Sequence, residues 1–199
     1  MQWLFNVLIL TSYFVLYGLI HSWLVSLSFK QRVQTIVGAK MMRGYRLAYN
    51  IFAFVSLLPF FALQTQLPNF RLYLVPSPWR WLMVGGQLLA LLAAGLSFWQ
   101  TGPLHFLGLS QLTQEQLTEN TPFSKRGFYG YVRHPIYFFG MMLIWLSPLM
   151  TLNQLIGYVL FSLYFYLGSY FEERKLIAEF GDTYREYQRQ VPRLIPWRI

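Results

Sequence analysis

The chain contains no cysteine. That single absence removes disulfides, thiolate metal sites, iron–sulfur clusters and a cysteine nucleophile. Histidine is nearly as scarce, three scattered residues in 199, which argues against metal or radical chemistry as well. Acids are few, 7 Asp and Glu against 16 Lys and Arg, and all charged residues together make up 12% of the chain. Soluble proteins carry about a quarter. With 55% hydrophobic and 20% aromatic residues, the composition is that of a membrane protein. No repeat, low-complexity tract or dividing linker is present, so the chain is read as one domain, 1–199. The opening stretch MQWLFNVLIL lacks the leading positive charge of a secretory signal and its apolar run is long, so it is expected to be a first span rather than a leader.

What is there is apolar sequence in long runs. Stretches near 3–27, 47–63, 81–99, 136–150 and 155–171 carry almost no charge, and a bilayer core needs roughly 20 apolar residues per helix. The expected fold is all-α and polytopic, with five transmembrane helices: a three-helix part over 1–100, then an interfacial segment, a C-terminal helical hairpin and a cytoplasmic helical tail over 101–199. The connection 28–46 holds Lys30, Arg32, Lys40, Arg43 and Arg46 and no acid, which marks it as cytoplasmic. Alternation then places Lys125, Arg126 and Arg133, and the tail's Arg174, Lys175, Arg185, Arg189, Arg193 and Arg198, on the same side. Only Arg71 and Arg80 fall outside. All seven acids, Glu115, Glu119, Glu172, Glu173, Glu179, Asp182 and Glu186, are cytoplasmic too. The N-terminus is expected outside and the C-terminus inside, in a bacterial inner membrane, and the formal charge of +9 reads as an attraction to anionic lipid rather than to nucleic acid.

Smaller features refine this picture. Gly86, Ala90 and Ala94 recur every fourth residue and would let another helix approach closely. Pro59 is expected to kink the second span. The segment 101–127 is too polar to cross and would lie along the interface with a short amphipathic piece near 105–117. A helix running through Phe180 would stop at Gly181, and a second would begin at Asp182 or Thr183 with Glu186 completing a capping box. Tyr184, Tyr187 and Val191 share one face of that second helix and need an apolar cover, either the membrane surface or a flat ligand. Trp3, Trp79, Trp81 and Trp197 are placed as interfacial anchors.

The most polar cluster sits directly in front of the fourth span, in GYVRHPIYFFG at 130–140. With Pro135 at the first helical position, His134 becomes the cap, and the helix start with Arg133 forms an anion receptor. Tyr137 and Gly140 lie on the same face. At the end of the fifth span, Glu172 and Glu173 stand at the edge of hydrocarbon, where they are costly without partners. A hairpin would bring them to Arg133. An anion receptor beside a carboxylate suits a zwitterion; equally, an Arg–Glu pair can do no more than pin two helix ends. His21, in the cytoplasmic third of the first span, is a candidate on the substrate side or a hydrogen-bonding partner of a neighbouring helix. His105 sits in the interfacial connection.

Taken together, YVRHPIYFFG at 131–140 and EERKLIAEFGDTYREYQRQVPRLIP at 172–196 strongly resemble the C-terminal half of the isoprenylcysteine carboxyl methyltransferase-like family of integral membrane methyltransferases. HSWLVSLSFK at 21–30, RGYRLAYN at 43–50 and FLGLSQL at 106–112 look like the bacterial methanethiol S-methyltransferases of that superfamily. The resemblance implies S-adenosylmethionine as cofactor, with a membrane lipid environment and a small or lipophilic methyl acceptor as partners. It assigns Arg133, His134, Tyr137, Glu173, Tyr184 and Tyr187 to cofactor binding, the two tyrosines closing over the adenosine, and Glu172, Glu173 and Arg133 to catalysis. A thiol acceptor has to lose a proton, and either glutamate would serve as base if desolvation raised its pKa. The expected activity is transfer of a methyl group to a small thiol such as methanethiol. A prenyl-cysteine carboxylate or a lipid is the alternative acceptor, and a non-catalytic membrane protein the alternative class. No glycine-rich strand-to-helix turn is present, which excludes the soluble methyltransferase sheet.

Overall fold

The computed structural model of the protein describes residues 2–113, 123 and 125–197. Glu115, Glu119 and Arg198 of the charge count, and the end of the amphipathic piece expected near 105–117, lie outside the described residues. The chain is mostly helical, and among the described residues three helices are long and apolar enough to cross a membrane: α1 (Gln2–Val25), α3 (Tyr45–Gln66) and α4 (Trp79–Gln100). These coincide with the first three apolar stretches. The chain divides into two compact units, one formed by residues 1–69 and 101–122, the other by 70–100 and 123–199.

In the first unit α1 and α3 run antiparallel, tied by tyrosines. Tyr13 donates its hydroxyl to Ser56 O (2.6 Å), Tyr17 to Ala53 O (3.3 Å) and Tyr45 to Leu24 O (2.6 Å). In an apolar surround a phenol needs such a partner, and a helix carbonyl has a spare lone pair to give it. Between them Leu10, Phe14 and Phe60 are buried, with the Phe14 and Phe60 rings 5.1 Å apart. Helix α3 continues through Pro59 as one element. The basic connection after α1 is itself a helix, α2 (Leu27–Met42), started by Ser26, whose side chain accepts from Phe29 N, and interrupted at Gly38 by a φ of 79°.

Two short helices complete this unit, α5 (Pro103–Leu107) and α6 (Ser110–Thr113). The end of α5 presses on α3: Arg46 Nε donates to Phe106 O, and Asn50 Nδ2 to Phe106 O and Leu107 O, at 3.0–3.1 Å. Gly108 makes that approach possible. Its φ is +90°, and a Cβ there would lie 2.6 Å from Leu47 N.

The second unit holds α4, the paired strands β1 (Arg71–Leu74) and β2 (Leu149–Thr151), and helices α7 (Pro135–Trp145), α8 (Leu152–Phe180) and α9 (Asp182–Gln190). The start of α4 lies against the end of α7. A Cβ on Gly86 would stand 3.0 Å from Leu146, Ala90 is buried, and Gln87 Nε2 donates to Leu143 O (2.9 Å). The small-residue stripe therefore does receive a helix. Helix α7 stops sooner than its apolar sequence suggested, because Ser147 and Pro148 turn the chain into β2. That strand pairs antiparallel with β1, Arg71 opposite Thr151 and Leu74 opposite Leu149, a ribbon that the apolar pattern concealed.

Helix α8 then begins with a capping box, Gln154 N donating to Thr151 Oγ1 (3.3 Å) and Thr151 N to Gln154 Oε1 (2.9 Å). It returns alongside α7: Trp145 Nε1 donates to Ser162 Oγ (2.9 Å), and Gly140 faces the Phe165 ring. It ends at Phe180, and Gly181 opens α9 without any side-chain cap, so the capping box expected from Thr183 and Glu186 does not form. Glu186 instead binds Arg189 and Gln190.

Replacing Gly108 by alanine forces a side chain into the left-handed region and against the α3 backbone. It is expected to cost about 1–3 kcal/mol, measurable as a lowered thermal midpoint of the purified protein in detergent.

Candidate functional site

The antiparallel course of α7 and α8 sets the start of one beside the last turns of the other, and the polar residues at those ends meet. Arg133 Nε donates to Glu173 Oε1 at 2.6 Å, with the two side chains 9% and 8% exposed. His134 Nε2 lies 3.2 Å from the same oxygen, and its Nδ1 lies 3.6 Å from Glu172 Oε2. Tyr137 donates its hydroxyl to Glu172 Oε2 (3.0 Å). Gln188 Nε2 donates to Glu173 Oε2 (2.8 Å). One connected chain thus runs from Gln188 and Arg133 through Glu173, His134 and Glu172 to Tyr137. The rings of His134, Tyr137 and Phe165 stack nearly parallel beneath it, with centroids 5.5 and 5.1 Å apart.

His134 occupies the cap position of α7, but its side chain makes no cap bond; the imidazole turns to the glutamates instead. Nor is the approach to the helix an open row of donors. Arg133 N donates to Pro192 O (2.9 Å) and His134 N to Arg193 O (3.1 Å). The Arg133 guanidinium reaches the same C-terminal strap, donating through Nη1 to Gln188 O (2.9 Å) and Val191 O. Arg133 is therefore committed within the protein at two of its three nitrogens. Arg193 closes the strap by lying over the Tyr166 ring, 4.4 Å from its centroid.

Tyr184, Tyr187 and Val191 form a buried cluster, covered by Phe123, Leu176, Ile177 and Phe180 of the same chain. The apolar cover expected from membrane or ligand is thus supplied internally. Tyr187 also donates its hydroxyl to Tyr129 O (2.6 Å), fixing the turn before Arg133. His21, in the first unit, lies with Nε2 2.5 Å from the Tyr49 hydroxyl, its ring centroid 4.9 Å from that of Tyr49 and 5.7 Å from that of Tyr17. It has the hydrogen bond to a neighbouring helix. Gln188 and Tyr129 were missed by sequence reasoning. An amide on a polar helix and a phenol in a loop carry no signal of their own, and only the closure of the strap brings them in.

Ionisation follows from these contacts. Burial works against the charge on Glu173, but hydrogen bonds from His134, Arg133 and Gln188 and the Arg133 charge overcome it, holding the carboxyl down at about 2. Burial also opposes the charge on Glu172, and bonds from His134 and Tyr137 again prevail, so its pKa lies below the ordinary value. Burial lowers the His134 pKa, and the two glutamates more than reverse that, so it lies above the ordinary 6.5. Desolvation therefore does not raise either glutamate into the range of a general base, the reverse of what the base role required. The two carboxylates differ in access. The Glu173 side chain has both oxygens occupied, while Glu172 is 48% exposed and its Oε1 receives no hydrogen bond within the described residues.

Comparison with known proteins places these residues in context. The chain is 41% identical over 99 residues to methanethiol S-methyltransferase 1 of Bradyrhizobium diazoefficiens, a match covering 47% of this chain and 35% of that protein. It is 34% identical over 134 residues to methanethiol S-methyltransferase 2 of the same organism, covering 61% and 51%. It is also 34% identical over 122 residues to a protein-S-isoprenylcysteine O-methyltransferase of Schizosaccharomyces pombe, covering 50% of each. The matches span about half or less of these relatives. No family model matches the chain, and no solved structure does. The resemblance read from the motifs is borne out: the relatives carry methanethiol S-methyltransferase and protein-S-isoprenylcysteine O-methyltransferase names.

The pKa directions fix how stability depends on pH. Glu173 is depressed from 4.5 to about 2, so its contribution is complete above about 4.5 and is lost as pH falls towards 2. His134 is raised above 6.5, so its contribution is complete below that value and is lost as pH climbs through its folded pKa. Unfolding followed across pH should show a maximum between these windows. Glu173→Gln, which leaves the buried guanidinium without its counter-charge, is expected to cost about 3–5 kcal/mol and to shrink the acid limb to the part that Glu172 supplies, as read by denaturant melts at several pH values.

Proposed function

We propose that this protein is an integral membrane methyltransferase that transfers the methyl group of S-adenosylmethionine to a small thiol such as methanethiol. The observation that carries the reading is the meeting of Arg133, His134, Tyr137, Glu172 and Glu173 in one network. The similarity to several proteins bearing methanethiol S-methyltransferase names, two of them matched over 61% and 62% of this chain, supports the thiol over the carboxylate acceptor, whose name one relative bears.

The membrane placement belongs to the same proposal. Helices α1, α3 and α4 span the bilayer. Helix α7, with 11 residues, reaches only about 16 Å at 1.5 Å per residue, roughly half of a 30 Å hydrocarbon core. With α8 it forms a hairpin, the fourth and fifth apolar helices, that enters from the cytoplasmic side without α7 crossing in full; the N-terminus is outside, the C-terminus and the site on the cytoplasmic side. The basic residues of α2 and of the tail lie where anionic headgroups favour them.

The residues fit the positively charged part of the cofactor best. Glu172 offers one carboxylate oxygen with no donor among the described residues, on a half-exposed side chain, beside a phenol and stacked rings. S-adenosylmethionine, when bound, supplies a methyl group on a cationic sulfur. Glu172 holds positive charge, and the protonated His134 keeps Glu172 aimed. Arg133 and Glu173 hold the helix ends at a fixed spacing, which is the alignment that a direct displacement needs and which is worth about 7–11 kcal/mol in well-oriented systems. Tyr184 and Tyr187 pack beneath α8, and Tyr187 holds the turn before Arg133 through the Tyr129 carbonyl. Neither glutamate is suited to deprotonate a thiol of pKa about 8.5, so the acceptor reacts as the thiolate it forms in solution.

Incubation of the purified protein with labelled S-adenosylmethionine and a panel of thiols, prenyl-cysteines and phospholipids, with products scored by mass, should show methylation of the small thiols. Glu172→Gln is expected to lower donor affinity about ten- to a hundredfold, the worth of a hydrogen bond to a charged group, with little change in thermal midpoint. Saturable donor binding absent from the folded wild-type protein would refute the reading.

A further inference from the structure

Gln188 presents two groups to the same ion pair. Its side-chain Nε2 donates to Glu173 Oε2 (2.8 Å), and its main-chain carbonyl accepts from Arg133 Nη1 (2.9 Å). The other oxygen of Glu173 is shared between Arg133 and His134. With the amide in place both oxygens of that carboxylate are pinned, and its plane cannot turn. Without it, Oε2 has no donor among the described residues, and the carboxylate is free to rotate and to carry Oε1 away from His134 Nε2. That nitrogen and Nδ1 belong to one rigid ring, so the imidazole would also lose its aim at Glu172 Oε2, now 3.6 Å away.

We propose that Gln188 is a positioning residue for methyl-donor binding: it fixes the plane of Glu173, through Glu173 the His134 ring, and through that ring the carboxylate of Glu172. This rests on the methyltransferase reading above. Gln188 touches no reacting atom on that reading and lies on α9, the element after the one that carries both glutamates. The groups that face Glu173 are Arg133 and His134 ahead of α7, and Gln188, Tyr184 and Tyr187 on α9. Glu172 stands across the imidazole. Replacing the amide by a carboxyl group therefore sets one further acid against an already anionic site.

The test uses the full chain in detergent or nanodiscs. Binding of S-adenosylmethionine is measured by calorimetry between about pH 5 and 8, beside the thermal midpoint, for wild type, Gln188→Leu and Gln188→Glu. Gln188→Leu should bind the donor about tenfold or more weakly. In Gln188→Glu the new carboxyl keeps the length of the side chain. While the pair shares a proton it imitates the amide and binding stays near wild type; once the proton leaves, the two anions repel and binding falls, giving an alkaline limb at lower pH than the one His134 deprotonation produces in wild type. A purely packing role would move the midpoint without that limb. If Gln188→Leu does not fold, the pH profile of Gln188→Glu decides. Donor affinities of the folded variants within twofold of wild type at every pH would overturn the inference. A folded wild type that binds no donor overturns the methyltransferase reading first, and this inference with it.

Discussion

The buried contact between Arg133 and Glu173 is the constraint on which the second unit depends. Two charges withdrawn from water are tolerable only when their remaining hydrogen-bonding capacity is met, and here it is met almost wholly by the chain itself. Arg133 is answered by Glu173 and by carbonyls of Gln188 and Val191, and Glu173 by Arg133, His134 and Gln188. These partners come from the loop before α7, the end of α8, and α9 with the strap behind it. A pair that needs three parts of the chain to satisfy it also holds those three parts together. The strap is doubly secured, since the main-chain donors of Arg133 and His134 end on Pro192 and Arg193.

The apolar helices obey a different economy of contacts. Among residues surrounded by hydrocarbon there is little to gain from burying one apolar side chain against another. What fastens α1 to α3 is a row of phenols donating to main-chain carbonyls. What lets α7 lie on α4 is the missing side chain of Gly86, with the Gln87 amide on a carbonyl of α7. Both devices work by shape and polar satisfaction. They also leave many large apolar side chains exposed, among them Leu8, Leu89 and Trp99, which is the expected state of a surface whose solvent is lipid.

Much of this was legible in the residues. Long uncharged runs gave α1, α3 and α4, because length and hydropathy are what a bilayer selects. Gly181 and Pro192 bounded α9, since each acts through its own backbone. The meeting of Arg133 with Glu173 followed from the cost of leaving two acids at a hydrocarbon edge. Other features depended on partners distant in sequence. The β1–β2 ribbon is made by short segments that share no visible pattern, and it shortened α7 against expectation. Helix α2 reads as a charged connection because it buries nothing. The direction in which the glutamates titrate is not legible from burial alone. Desolvation does act as expected, but the donors from His134, Arg133, Gln188 and Tyr137 outweigh it, and most of those donors are placed by tertiary structure.

That inequality separates the tasks of two adjacent carboxylates. Consecutive residues on a helix point about 100° apart, so Glu173 turns inward to the guanidinium while Glu172 remains half in solvent at the edge of the stacked rings. The imidazole between them is biased towards its charged form because both sides are anionic, and that charge in turn favours both carboxylates. Held this way, neither group is a good acceptor for a thiol's proton, and both are good fixed charges. On the proposed reading the site assists methyl transfer by arranging charge around a cationic donor. The low pKa of Glu173 then marks the strength of the scaffold, and the open oxygen of Glu172 marks the place where a ligand meets it.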